Sequence, residues 1–85
     1  MKTTTYTIQD ELGIHARPAG LLVKEVKKFQ SKITLEGNGK KAEAGKLLAV
    51  MGMGIKQGTE LTITAEGPDE DEAIAAMEEF FKNNL

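Results

Sequence analysis

The residues best suited to chemistry lie in Leu12-Gly13-Ile14-His15-Ala16-Arg17-Pro18-Ala19-Gly20. The chain contains a single histidine. His15 is therefore its only side chain whose ordinary pKa suits nucleophilic or proton-transfer work near pH 7. A glycine loop delivers it to the opening turn of a helix, where unpaired backbone N–H groups and the positive end of the dipole point outward. Arg17 adds a fixed cation two residues later. An imidazole beside an anion site of this kind is suited to accepting a phosphoryl group, whose new negative charge the N–H groups and Arg17 would hold. The same residues fit a half-exposed capping histidine with no chemistry, and His-x-Arg-Pro is a short pattern with many chance matches.

The elements that must position His15 follow from periodicity. Ala16, Ala19, Leu22, Val23, Val26 and Phe29 recur at three- and four-residue intervals, the stripe of an amphipathic helix. Pro18 falls in its first turn, where a missing N–H is harmless. Gly20 is a poor helix former, and close packing of the helix against a neighbour is the expected reason for it. Thr3–Gln9 reads as a strand with Tyr6 and Ile8 on one face. In Lys32–Glu36, Ile33 and Leu35 point inward. Gly37-Asn38-Gly39 is a turn, and Lys40–Ala44 is a return strand at an edge with Ala42 and Ala44 inward. Leu47–Met53 predicts one or two helical turns. Leu61–Glu66 alternates most cleanly, and Gly67-Pro68 ends it. Asp69 as N-cap with Glu72 three residues on predicts a capping box for a last helix, with Ile74, Met77 and Phe81 along its inner face and Ala73, Ala76 and Phe80 beside it. The order βαββαβα predicts an α+β fold of two layers, with helices on one face of a largely antiparallel sheet and the other face wet.

Composition narrows the class of function. The 85 residues suit one domain, and 11 basic against 13 acidic residues give a net charge of −2. That balance, with no Trp, one Tyr and three Phe, excludes a strongly basic, base-stacking nucleic-acid surface. With no Cys there are neither disulfides nor thiolate metal sites, and one His cannot form a two-histidine metal site. No apolar run is long enough to span a membrane, and Met1–Thr5 lacks the apolar segment of a secretion signal. Leu47, Leu48, Val50, Met51 and Met53 crowd into turns too short to bury them all. An exposed apolar patch is expected there, with Leu47 and Met51 outward and Val50 inward.

Leu12-Gly13-Ile14-His15-Ala16-Arg17-Pro18-Ala19 resembles the active-site motif of HPr, the histidine-containing phosphocarrier of the bacterial sugar phosphotransferase system. The Asn38-Gly39-Lys40 turn, Val50–Ile55, the Gly58–Ala65 segment and the acidic start of the last helix fit in the same order, so the resemblance spans nearly the whole chain. It implies one domain over residues 1–85, folded as an open-faced β-sandwich with a four-stranded antiparallel sheet of order 1-4-2-3. It implies that His15 takes a phosphoryl group on Nδ1 from phospho-enzyme I and passes it to enzyme IIA components. Arg17 would then stabilise the phosphate, while Gly13, Ala16 and Pro18 shape its site and Leu47, Leu48, Met51 and Met53 meet the partners. The protein would be a cytoplasmic, monomeric carrier acted on by other enzymes, with no cofactor, metal, nucleic acid or membrane insertion. A paralogue serving a nitrogen-related or dihydroxyacetone-kinase phosphoryl chain, or a non-catalytic regulatory module, is the alternative. One departure stands out: Lys46 occupies the position of a regulatory serine found in relatives from low-GC Gram-positive bacteria, and it sets a cation at a helix start.

Overall fold

Period-two alternation at Leu61, Ile63 and Ala65 places three fully buried side chains on one face of the strand that organises the sheet. The computed structural model describes residues 1–85. Its elements are β1 (Lys2–Thr7), α1 (Ala16–Val26), β2 (Lys32–Gly37), β3 (Lys40–Glu43), α2 (Leu47–Gly52), β4 (Glu60–Glu66) and α3 (Glu70–Asn84). The sheet order is β1-β4-β2-β3 and every pairing is antiparallel, as the resemblance implied. Thr5↔Thr62, Thr3↔Thr64 and Thr34↔Thr64 pair on the open face. Ile33, Leu35, Ile63 and Ala65 pave the opposite face.

The β2–β3 hairpin turns through Asn38 (φ 54°) and Gly39 (φ 72°), between the paired residues Gly37 and Lys40. Two consecutive left-handed residues match the right-handed twist of the strands, and Asn-Gly adopts them at little cost. β3 lies at an edge with Ala42 and Ala44 buried. β1 is shorter than expected. Ile8 lies beyond it but remains buried, because Ile8 N–H donates to the Thr59 carbonyl and Gly58 N–H to the Ile8 carbonyl, both at 2.9 Å. The core continues into α3 through Tyr6 and Phe81, whose ring centroids are 5.8 Å apart.

Three expectations are corrected. The buried face of α3 is Ala73, Met77, Phe80 and Phe81, with Ile74 only half-buried, so the inner stripe is rotated by about one residue. Gly20 is exposed and a Cβ there would meet nothing within 4 Å, so no close packing explains it. Asp69 does not form a capping box. Its carboxylate instead accepts hydrogen bonds from Gln30 N–H (2.9 Å), Ser31 N–H (2.9 Å) and Ser31 Oγ–H (2.5 Å), tying the start of α3 to the segment before β2. The Ser31 hydroxyl, then the Gln30 N–H, hold the Asp69 carboxyl below its ordinary pKa. Glu70 does the local work at this helix start, accepting Gly67 N–H at 3.1 Å. Its carboxyl is also lowered, first by its contact with the Met1 ammonium at 2.7 Å and then by Gly67.

Candidate functional site

His15 is the N-cap of α1, with extended backbone (φ −108°, ψ −177°) and no side-chain cap hydrogen bond. Its ring is not committed to capping, and the side chain is 37 % exposed. Anchors distant in sequence hold the loop before it. The Leu85 oxygen accepts Gln9 N–H at 2.6 Å and Asp10 N–H at 2.9 Å, and Gln57 Nε2 donates to the Gln9 carbonyl at 3.0 Å. Buried Ile14 donates its N–H to the Ile55 carbonyl at 3.0 Å. Gly13 makes that approach workable. Its φ is +67°, and a Cβ would overlap the Ile55 carbonyl oxygen and lie 2.6 Å from Lys56 Cα.

Helix α1 then presents its opening turn. Ala19 N–H donates to the His15 carbonyl at 3.0 Å, and Pro18 has no N–H to present. The Ala16 and Arg17 N–H groups precede any intrahelical acceptor and form no other hydrogen bond, leaving two amide donors beside the imidazole. Arg17 is exposed and has no carboxylate within ion-pair distance, whereas Pro18 is buried and fixes the helix start on the core. The structure thus gathers His15, Gly13, Ala16, Arg17 and Pro18 in one place. It adds Asp10, which the sequence analysis did not single out. Asp10 Oδ1 lies 3.9 Å from His15 Nε2 and also accepts Leu12 N–H at 2.8 Å. That local turn is the one signal that an aspartate two residues before an N–H leaves in a sequence.

Helix α2 packs beside α1. Val50 is fully buried and anchors it, while Leu47, Leu48 and Met51 are exposed, Leu48 by 84 %. Met53 departs from expectation. It follows the last helical residue and is only 3 % exposed, so it is core and cannot offer a contact surface. Leu12, in the His15 loop, is a further exposed apolar side chain, by 70 %. Lys46 caps α2 without a side-chain cap bond, and its Nζ lies 3.4 Å from Glu43 Oε2. Both side chains of that pair are largely exposed, so it offsets only a small part of the unfavourable cation at the helix start. No three potential metal-ligating side chains converge, and no helix is long and apolar enough to cross a membrane. The His15 side chain itself is part-exposed, so the imidazole is open to solvent.

Residues 2–83 match the family model described as "PTS HPr component phosphorylation site". This chain belongs to the HPr family. It is similar to the histidine-containing phosphocarrier protein of Mycoplasma, at 43 % identity over 96 % of this chain and 93 % of that one, with a TM-score of 0.93. It is likewise similar to HPr from Thermoanaerobacter tengcongensis, at 40 % identity over 98 % and 93 % of the two chains and a TM-score of 0.92. HPr from Bacillus anthracis str. Ames matches at 32 % identity, 94 % and 95 % coverage and a TM-score of 0.87. HPr proteins are phosphocarriers of the sugar phosphotransferase system, and that role comes to this chain with its family. In this HPr the motif residues sit at a helix start on an open surface, with the apolar residues of α2 on the neighbouring helix.

Proposed function

We propose that His15 of this HPr accepts a phosphoryl group from phospho-enzyme I and passes it to enzyme IIA components of sugar transporters, as a monomer in the cytoplasm. One observation carries the reading. The only imidazole of the chain is part-exposed and caps nothing, at a helix start whose first two amide N–H groups are unpaired and whose second residue is an exposed arginine with no ion pair. Charge-assisted bonds from such donors are suited to the oxygens of a phosphoryl group. Gly13 and Pro18 set the position of the helix start, and Ala16 contributes an N–H without a side chain that would crowd the site. An open surface suits a donor that is itself a protein, since the partner supplies the walls of the reaction site. Leu47, Leu48 and Met51 form the apolar part of the docking surface, suited to brief encounters of small area.

The test is incubation with enzyme I and phosphoenolpyruvate, followed by mass spectrometry. One acid-labile phosphoryl group is expected on the wild type and none on His15→Ala. An unlabelled wild type, or a labelled His15→Ala, overturns the proposal. Arg17→Ala removes one charge-assisted contact worth about 1.5–3 kcal/mol, which slows transfer roughly ten- to a hundredfold. Arg17→Lys restores only part, because an ammonium does not match the planar fork of the guanidinium.

A further inference from the structure

Asp10 is the carboxylate that faces the imidazole, and we infer that it is a positioning residue which holds the His15 proton on Nε2 and so presents Nδ1 as the free nucleophile. The inference rests on the reading of His15 as phosphoryl acceptor. Its basis is geometric. Asp10 Oδ1 lies 3.9 Å from Nε2, close enough for a charge–dipole attraction to an Nε2–H and beyond hydrogen-bond distance. Hydrogen bonds at reacting sites often tighten only when the partner is bound. Asp10 is itself fixed from two sides, its N–H on the Leu85 oxygen at 2.9 Å and its Oδ1 on Leu12 N–H at 2.8 Å. The group facing one ring nitrogen decides which tautomer is held. A negative oxygen on the Nε2 side favours Nε2–H and leaves the lone pair on Nδ1.

Asp10 comes from the loop before α1, Arg17 from α1 itself, and Lys56 from the segment packed against Gly13. Only Asp10 comes within 4 Å of a ring nitrogen as an ion pair. In the transfer, the Nδ1 lone pair attacks phosphorus and a new N–P bond forms. The donor's N–P bond breaks, and the donor nitrogen keeps that electron pair. The proton stays on Nε2 throughout, so the phosphorylated ring carries positive charge beside the Asp10 carboxylate. That charge also makes the ring a better leaving group in the next transfer.

Asp10 has a structural duty as well, and two variants separate it from the electrostatic one. Asp10→Asn keeps an oxygen for Leu12 N–H and removes the charge. Asp10→Glu keeps the charge and lengthens the arm. The readouts are the nitrogen-15 chemical shifts of the neutral His15 ring, which report the tautomer ratio, and the rate of phosphoryl transfer from phospho-enzyme I. Asp10→Asn is expected to lower the Nε2–H fraction and to slow transfer about two- to fivefold, the scale of a half-exposed ion pair. Asp10→Glu is expected to recover part of both. An unchanged ratio in Asp10→Asn overturns the inference, and so does a changed ratio with a wild-type rate. A wild type that takes no phosphoryl group on His15 overturns the acceptor reading instead. The two failures are distinguishable because the tautomer is read without any transfer.

Discussion

Replacing Gly13 by alanine tests how the His15 loop is held, and Gly20→Ala is its matched control. At Gly13 the backbone has φ +67°, and the added Cβ would overlap the Ile55 carbonyl oxygen. The left-handed conformation costs a non-glycine residue about 1–2 kcal/mol. Relief of the overlap must move one backbone segment away from the other. That movement breaks the Ile14 N–H to Ile55 carbonyl bond of 3.0 Å, worth about 0.5–1.5 kcal/mol with both groups buried. With residual strain the loss is about 2–4 kcal/mol, a large part of the roughly 5–10 kcal/mol available to a domain of this size. The melting temperature should fall by roughly 10–30 °C, read by circular dichroism. Transfer from phospho-enzyme I should slow about ten- to a hundredfold at a temperature where the variant is still folded, since a misplaced ring loses its alignment. Gly20 lies in α1 with open space around its missing Cβ. Gly20→Ala should therefore stabilise by about 0.5–1 kcal/mol, through helix propensity and a less flexible unfolded chain, and raise the melting temperature by roughly 2–8 °C. A Gly13→Ala variant melting within about 3 °C of the wild type would refute the close approach at Ile55, a shift smaller than about 1 kcal/mol produces. A destabilised Gly20→Ala would show that α1 packs there after all.

Leu48→Glu should leave stability within about 0.5 kcal/mol of wild type while slowing transfer from enzyme I, and Met53→Ala should cost about 2–4 kcal/mol in denaturant unfolding. Equal stability losses in the two would contradict the division of α2 into an outer surface and a core. Asp69 is held below its ordinary pKa of 3.8, so the unfolded chain binds more protons there than the native one. Its contribution is present above about pH 4 and is lost as pH falls through the lowered native value; urea titrations from pH 6 to pH 2 should show a shallower acid loss in Asp69→Ala than in wild type. Lys46→Ser should raise the melting temperature by roughly 2–8 °C, because Lys46 makes no side-chain cap bond and a serine N-cap contributes about 0.5–1 kcal/mol; an unchanged melting temperature would mean that the Glu43 pair already compensates.

Local signals were legible and long-range ones were not. Alternation at Ile33, Leu35, Leu61 and Ile63 located β2 and β4, and Asn38-Gly39 located their hairpin neighbour, because side-chain period and turn chemistry are decided within a few residues. The order β1-β4-β2-β3 depends on pairings between distant segments, and only the resemblance to a known family supplied it. The imidazole, its glycine and its arginine stood together in one motif. Asp10 did not, because its relation to His15 depends on a loop pinned by Leu85 and Ile55 from other parts of the chain. Asp69 stands at the N-cap position as expected but forms no capping box, for a similar reason: its carboxylate could accept local N–H groups, and here the Ser31 and Gln30 donors claim it from across the fold. Met53 looked like part of a helical surface, yet the helix ends before it and the chain turns its side chain inward.

A carrier must meet unlike partners in turn while keeping its reacting atom in one place, and these two demands fall on different residues here. Constancy comes from backbone contacts made by distant parts of the chain, with Leu85 on Gln9 and Asp10 and with Ile55 on Ile14. All of these contacts are between backbone groups, so none uses a side chain of the proposed docking surface. Accessibility comes from what is left unpaired: the His15 ring, two amide N–H groups and Arg17. A deep pocket would bind a phosphoryl group more tightly and would also shut out the next acceptor. An open helix start orients the group with few contacts and leaves it exposed for collection. Leu47, Leu48 and Met51 extend the same surface with flexible apolar contacts, which can adapt to more than one partner without changing the geometry at His15. On the proposed reading, selection among partners belongs to α2 and the chemistry to the start of α1, and substitutions in the two regions should add in their effects on transfer so long as they do not touch.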